Sequence, residues 1–482
     1  MKNLVLYGPP GTGKTRRLLN MVGEHLAEHP GRVLFCSHTR AAAQEALSRW
    51  PQENMERIDI QTLHSVCFRA LKMSKAQTVD DSKLRTFGEE FGIDMEPEGL
   101  GKEFIDVLAL GRARCINTMD AYEQSWKPGT PSHFDAFVTS YNNWKDEFGY
   151  LDFNDMLSVG TKTLTAKDIN YSLIAIDEAQ DLSTLHWMTI YRFMELCPKA
   201  RVIVAGDDDQ TLYTFAGADP HGMTIFGERA RADAQVLSQS YRITQQVYDL
   251  AQAIIARVSR RVAKSYEPRT GLDGKPAQGK VEIWPHMDHL KVDPNRDSLL
   301  LYADRFVRGE VEPILQENAW RYTALNGWQA PLDTKAGEAL IAIAQWDNRT
   351  ILEDDALRNV IRAGLSRHAN EIWDRISPAE VLQRIRRGDY SVLSMRISHV
   401  DYFREVQLNG PVMLRITTMH GAKGLQADDV HLILSLSPRA WAEAEVDADH
   451  LHRLLYTAVT RAKDNLYIYD GDNGYELPEE YR

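Results

Sequence analysis

LVLYGPPGTGKTRRLLNMV (residues 4–22) decides how this chain folds. Residues 4–7 are apolar or aromatic and read as a buried strand, GPPGTGKT (8–15) follows at once, and a helical pattern starts at about Lys14. GxxxxGK[ST] between a strand and a helix is a phosphate-binding loop: its glycines turn backbone N–H groups toward an anion, and the helix N-terminus adds a favourable dipole. Gly8, Gly11, Thr12 and Gly13 form the cradle, Lys14 is expected to meet the β- and γ-phosphates, and the Thr15 hydroxyl is expected to ligate Mg²⁺. An ordinary Gly/Pro turn needs neither flank.

Outward from that loop the pattern alternates. RVLFCS (32–37) and IDIQT (58–62) read as strands, with helices over 41–50 and from His64. SLIAIDE (172–178) and RVIVAGD (201–207) are β-branched runs that end in carboxylates. Such a βαβ rhythm indicates a parallel, doubly wound sheet with ligands at the strand C-termini. Asp177 can there hold Mg²⁺ directly or through water, and Glu178 is placed to orient and deprotonate an attacking water. A helix N-cap is the competing reading of such an acidic pair, and the glycine loop tips the balance.

The stretch 72–150 breaks the rhythm: it has helical periodicity, many charges and no strong strand, and reads as a helical insertion. The first core is then 1–71 with 151–278. A second α/β series, 279–345 and 410–470, has strand patterns at 281–284, 298–302, 321–325, 412–418, 428–434 and 465–469, and a helix over 307–318. It pauses over 346–409, where short helical patterns carrying Arg384, Arg386 and Arg387 suggest a second, shorter insertion. The acidic tail 471–482 reads as frayed.

Composition narrows the class. Hydrophobic content of 43% and charged content of 26% are ordinary for a globular protein, and no run of about 18 apolar residues exists to span a membrane. Cys36, Cys67, Cys115 and Cys197 are scattered, as expected for reduced thiols in a cytoplasmic protein rather than disulfides or zinc ligands. The N-terminus enters a strand pattern too soon for a signal peptide. The net charge of −12 argues for weak, salt-sensitive duplex binding, yet a groove can be locally basic, and single strands are also held by stacking.

Nine strings in order resemble the UvrD/Rep/PcrA-type superfamily 1 DNA helicases: GPPGTGKT, SHTRAAAQEAL (37–47), TLHS (62–65), LDFNDML (151–157), IDEAQD (176–181), GDDDQTLYTFAGAD (206–219), QSYRIT (239–244), TTMHGAKGLQ (417–426) and LLYTAVTRAK (454–463). The resemblance implies two RecA-like parallel-sheet cores, each with a mainly helical insertion, and an ATP- and Mg²⁺-dependent motor moving 3′→5′ on single-stranded DNA and at single/double-strand junctions. It implies that Gln210 senses the γ-phosphate, that Tyr241 stacks on the adenine with Arg16 on its other face, and that Arg242 and Arg461 reach the γ-phosphate from the second core. Gly424 falls in a nucleotide-contacting motif. An arginine finger of this kind is worth about 10³–10⁵ in rate. Phe215, with Tyr213 nearby, matches an aromatic that stacks on bases, and Thr62, His64 and His420 match positions that contact the nucleic-acid backbone. For either histidine a capping or core role is nearly as good a reading.

The chain also departs from the pattern. It begins too close to Leu4 for the family's adenine-reading glutamine, and Gln426 stands where the family has a glutamate, so GTP or dATP is expected to support hydrolysis. Ser37 replaces a base-stacking phenylalanine, the second insertion is short, and no nuclease constellation follows the last motif. These departures motivate an alternative: an ATP-gated DNA-binding switch serving a protein partner in replication, repair or defence, without processive unwinding. A P-loop kinase or transporter ATPase is the third reading, disfavoured by the Phe215 loop and the late arginine motif.

Overall fold

The computed structural model describes residues 2–50, 54–325, 330–333, 406, 411–471 and 474–481. Apart from Val406, the expected insertion at 346–409 with Arg384, Arg386 and Arg387 lies outside them. Two compact units divide the chain: Met1–Tyr241 with Arg260–Glu267, and Arg242–Ser259 with Pro268–Arg482.

In the first unit, β1 (Leu4–Tyr7), β2 (Val33–Ser37), β3 (Ile58–Gln61), β4 (Leu173–Asp177), β5 (Arg201–Gly206) and β6 (Asp233–Val236) form one sheet in the order β3-β2-β4-β5-β1-β6. Every pairing is parallel. Both faces are covered, so the apolar runs do not alternate with polar residues. Alternate side chains of one strand instead enter different cores. Leu4 and Leu6 join Leu18, Val22 and Phe35 on one face, while Val5 and Tyr7 join Val66, Ile176, Trp187 and Phe193 on the other.

The helices of this unit are α1 (Lys14–Glu28), α2 (Arg40–Arg49), α3 (Leu63–Ala70), α4 (Asp81–Phe91), α5 (Leu100–Arg114), α6 (Thr118–Glu123), α7 (Pro131–Phe148), α8 (Phe153–Thr163), α9 (Thr184–Leu196) and α10 (Gly222–Arg229). From α4 to α7 the chain builds a small core of its own around Phe87, Phe104, Phe134, Phe137, Tyr141 and Trp144. That aromatic payload lets a short helical segment bury enough apolar surface to hold together.

The second unit holds α11 (Gln245–Ile255), β7 (Lys280–Trp284), β8 (Ser298–Tyr302), α12 (Arg305–Glu317), β9 (Tyr322–Ala324), β10 (Leu414–Thr418), β11 (Ala427–Ile433), α13 (Pro438–Val446), α14 (Ala448–Val459) and β12 (Ala462–Tyr469). Its sheet is also wholly parallel, in the order β7-β12-β11-β8-β10-β9. Among the described residues, no helix is long and apolar enough to cross a membrane.

Two expectations need correcting here. The first core was expected to run to residue 278, yet α11 packs against α14, β7 and β12 and belongs to the second unit. Its buried stripe, Val247, Leu250, Ala251, Ile254 and Ile255, needs a partner surface, and the second sheet supplies it. The tail was expected to fray. Instead Tyr475 and Leu477 are buried, and Arg257 donates to the Tyr475 hydroxyl (3.0 Å), the Glu476 carbonyl (2.6 Å) and the Leu477 carbonyl (3.3 Å).

Candidate nucleotide-binding site

β4, β5 and β1 are neighbours in the first sheet, so the segments leaving their carboxyl ends meet at one edge. The glycine loop leaves β1 and is tied to β5 by Gly8 N–H donating to the Gly206 carbonyl at 2.9 Å. Gly11 and Gly13 both have φ of 73°, a left-handed conformation that L side chains rarely adopt. Gly13 is the N-cap of α1 and offers no capping side chain, so the first-turn amides of the helix are not satisfied by one. A Cβ on Gly8 would stand 2.6 Å from Lys14 Cβ, because the lysine folds back over the loop.

Lys14 Nζ lies 3.0 Å from Glu178 Oε2, and the Thr15 hydroxyl donates to Asp177 Oδ2 at 2.6 Å. Burial alone would lower the Lys14 pKa, but the Glu178 and Asp177 carboxylates outweigh it and hold the ammonium above its ordinary value. Burial, then the neighbouring Glu178 charge, pushes Asp177 up to about 6. Glu178 has φ of 54°, an uncommon conformation for a side-chain-bearing residue and one found at functional sites. Thr15 and Asp177 present adjacent oxygen donors, a set that fits Mg²⁺.

Gln180 links these groups to the next strand, and the sequence reading missed it. Its Nε2 donates to Glu178 Oε2 at 2.5 Å, and its Oε1 accepts from Asp207 N–H at 3.1 Å. Gln210 Nε2 donates in turn to Asp207 Oδ2 at 2.6 Å. Lys14, Glu178, Gln180, Asp207 and Gln210 are therefore one connected polar network across three strand ends. Position 180 lies inside the IDEAQD string (176–181), but an amide carries no charge signal that would single it out.

Tyr241 is 72% exposed, and its N–H donates to the Gly11 carbonyl at 2.9 Å, which sets an uncovered ring beside the phosphate loop. Arg16, on the first turn of α1, is also exposed. In the second unit, Arg242 Nη1 donates to the Thr460 carbonyl at 3.3 Å, next to Arg461. Arg461 is only 2% exposed: its Nε donates to the Thr457 carbonyl at 2.8 Å and its Nη1 to the Leu425 carbonyl at 3.4 Å. Gly424 precedes Leu425 with φ of +83°, a left-handed conformation that favours glycine.

The residues expected at nucleic acid differ in setting. Phe215 is 60% exposed and meets the half-buried Tyr213 edge-on, at a centroid separation of 6.0 Å. Thr62 is buried and caps α3, accepting from Ser65 N–H at 3.2 Å, so its hydroxyl serves the helix. His64 packs edge-on against Phe153 and His186, and burial lowers its pKa to about 4. His420 stacks on His450 and is likewise lowered to about 4, by burial first and the second imidazole next. Ser37 is buried, with His38, His64 and His186 around a small pocket.

Residues 1–231 match the family described as UvrD/REP helicase N-terminal domain, and residues 413–469 match UvrD-like helicase C-terminal domain. The ATP-dependent DNA helicase UvrD2 of Mycobacterium tuberculosis is 23% identical over 532 aligned positions, covering 95% of this chain and 75% of that protein. The putative ATP-dependent DNA helicase YjcD of Bacillus subtilis is 24% identical, covering 96% and 76%. The ATP-dependent DNA helicase PcrA of Staphylococcus epidermidis is 26% identical, covering 54% of this chain and 39% of that one. Among solved structures, an arterivirus nonstructural protein 10 helicase bound to DNA is similar at 12% identity and a TM-score of 0.36, covering 98% of this chain and 61% of that chain.

Proposed function

Because this chain belongs to the UvrD/Rep-type DNA helicase family, whose members are ATP-hydrolysing enzymes, we propose that it is a cytoplasmic motor that moves 3′→5′ along single-stranded DNA and separates strands at junctions. The observation that carries the reading is the network from Lys14 through Glu178 and Gln180 to Asp207 and Gln210. It links the Lys14 ammonium, the Glu178 carboxylate and the Gln210 amide by hydrogen bonds, which supports reading them as phosphate contact, general base and γ-phosphate sensor.

ATP is the substrate. The glycine-loop amides and Lys14 take its phosphates, competing with Glu178 for the ammonium, and Glu178 is then free to orient the attacking water and accept its proton. Thr15 and Asp177 would hold Mg²⁺, which neutralises charge on the β- and γ-oxygens. Tyr241 and Arg16 take the base. Arg242 and Arg461 supply positive charge to the transferring phosphoryl group. Phe215 and Tyr213 stack on bases without reading sequence, while His64, His420 and the cap at Thr62 support the backbone path.

The test is strand displacement on duplexes with a 3′ or a 5′ single-stranded tail, comparing wild type with Lys14→Ala and Arg461→Ala. Unwinding from the 3′ tail alone, abolished in both variants, is expected. Wild-type unwinding by either variant would overturn the assignment. DNA-stimulated hydrolysis with no displacement of any duplex would favour the ATP-gated switch instead.

A further inference from the structure

Asp207, Asp208 and Asp209 stand in succession between the end of β5 and Gln210, and all three are buried. Adjacent buried carboxylates repel one another and lose their hydration, so such a loop needs an internal cation. Lys264 supplies it. Its side chain is 0% exposed, and its Nζ lies 3.1 Å from Asp207, 2.5 Å from Asp208 and 2.8 Å from Asp209. The same ammonium sits 5.8 Å from the ring centroid of Tyr7, the last residue of β1. Arg261 adds a two-pronged contact to Asp209, at 2.7 and 2.5 Å, and Val262 N–H donates to Asp208 Oδ2 at 2.9 Å. Burial works against the charge on Lys264, but the three carboxylates outweigh it and raise its pKa. Because Asp207 also accepts from Gln210, Lys264 reaches that amide through a single carboxylate.

The segment that delivers Lys264 is unusual in its connections. Residues 260–267 fold with the first unit, whereas the chain on both sides of them folds with the second. At its far end, Glu267 N–H donates to the Ser238 carbonyl (2.7 Å) and Ser240 N–H donates to the Glu267 carbonyl (2.9 Å). The Ser240 hydroxyl donates to the Pro10 carbonyl at 2.8 Å, so this end is stitched to the phosphate loop. The flanks are fixed within the second unit. Ser259 donates twice to Asp449 at the start of α14, through its N–H at 2.8 Å and its hydroxyl at 2.6 Å. Arg269 Nη2 donates to Asp464, three residues beyond Arg461, at 2.7 Å.

We propose that Lys264 is a positioning residue for Gln210, and that residues 259–269 form a strap coupling the Arg461-bearing segment to the Gln210 loop. This rests on the reading of Gln210 and Arg461 as γ-phosphate residues. A counter-ion that served stability alone would change the melting temperature and leave turnover of the folded protein intact. A positioning cation changes turnover while nucleotide binding persists.

The experiment measures ATPase kcat and KM, with and without a single-stranded oligonucleotide, alongside circular dichroism and titration with a fluorescent ATP analogue. Lys264→Met is expected to lower kcat at least about tenfold with KM changed less than about threefold, and Lys264→Arg to restore most of the loss. Asp449→Ala, which alters none of the residues assigned to the nucleotide, should leave hydrolysis without DNA unchanged and cut the DNA stimulation by about threefold or more. Wild-type kcat in folded Lys264→Met, or Lys264→Arg no better than Lys264→Met, overturns the positioning role. Full DNA stimulation in Asp449→Ala overturns the strap. Should Lys264→Met fail to fold, Arg261→Gln takes its place with the same readouts. If the wild type hydrolyses ATP but shows no response to DNA, the helicase reading fails, while kcat without DNA in the Lys264 variants still decides the positioning role.

Discussion

Lys14 and Glu178 hold each other at 3.0 Å, so the ammonium that should bind phosphate and the carboxylate that should activate water each occupy the other. On the proposed function, a phosphate in the loop would break the pair and so tie substrate arrival to activation of the base. Glu178→Gln therefore separates two effects. It removes the base, and kcat is expected to fall by about 10²–10⁴. It also removes a competitor for Lys14, so ATP should bind at least as tightly as to wild type. Single-turnover hydrolysis and nucleotide titration on the same variant check both, and a kcat within threefold of wild type would remove Glu178 from the mechanism. The neighbouring acid has its own signature. Asp177 is raised to about 6 by burial and by Glu178, so it takes up a proton as pH falls through that value. A protonated carboxyl is a poor Mg²⁺ ligand, so the Mg²⁺ concentration for half-maximal hydrolysis should climb as pH falls from 7 to 5.5. Asp177→Asn should need more Mg²⁺ at every pH and show no such climb. A wild-type requirement that stays flat across this range would show that Asp177 does not hold the metal.

The second unit depends on an anchor that composition hides. Arg257, just beyond α11, bonds Tyr475 and the carbonyls of Glu476 and Leu477, and its guanidinium lies 5.5 Å from the Tyr475 ring centroid. Arg257→Ala should release the C-terminal residues to carboxypeptidase and destabilise this unit by about 1–3 kcal/mol, the range for losing charged hydrogen bonds to partly buried acceptors. Unchanged digestion kinetics would show that Tyr475 and Leu477 suffice by themselves. The sequence misread this tail because its acidic charges mask the alternation of Tyr475 and Leu477, which turns two side chains inward. Strands β1, β4 and β5 were legible for the opposite reason: buried on both faces, they are unbroken apolar runs. β6, DAQV, was missed because an edge strand whose first three residues are exposed has no apolar signature. At the candidate site, Lys14, Thr15, Asp177, Glu178 and Gln210, which hydrogen bonds bring together, all stand in local motifs that the sequence displays. Lys264 stands in no such motif, since a buried lysine looks like a surface one until the fold brings up Asp208, 56 residues away, and its two neighbours. The boundary set at 278 failed likewise, because α11 follows the first core in sequence while its apolar stripe finds its partner in the second.

At the scale of the whole molecule, acid should act on both units together. His25, His64, His420 and His431 are each lowered to about 4, with burial as the leading cause. The first two belong to the first unit and the last two to the second. An unfolded histidine titrates near 6.5, so between about pH 6.5 and 4 the unfolded chain binds more protons than the folded one. Stability from these groups is fully present above 6.5 and is lost progressively as pH falls toward 4. Asp177 and Asp207 act in the opposite direction, because burial raises both and the folded state then gains protons first. Among the described residues each unit holds three lowered histidines, His25, His64 and His186 in the first and His420, His431 and His452 in the second, whereas both raised carboxyls sit in the first unit. The second unit should therefore show the steeper loss. Melting followed by calorimetry from pH 7 to 4.5 is expected to show the transitions of both units moving down, that of the second unit faster. His431 Nδ1 lies 3.1 Å from the Tyr469 hydroxyl, a contact that a glutamine amide can replace without a titrating proton. His431→Gln should flatten the pH slope of the second unit by up to one proton and leave that of the first unit unchanged. An unaltered slope in that variant would show that the acid sensitivity of this unit lies with other groups.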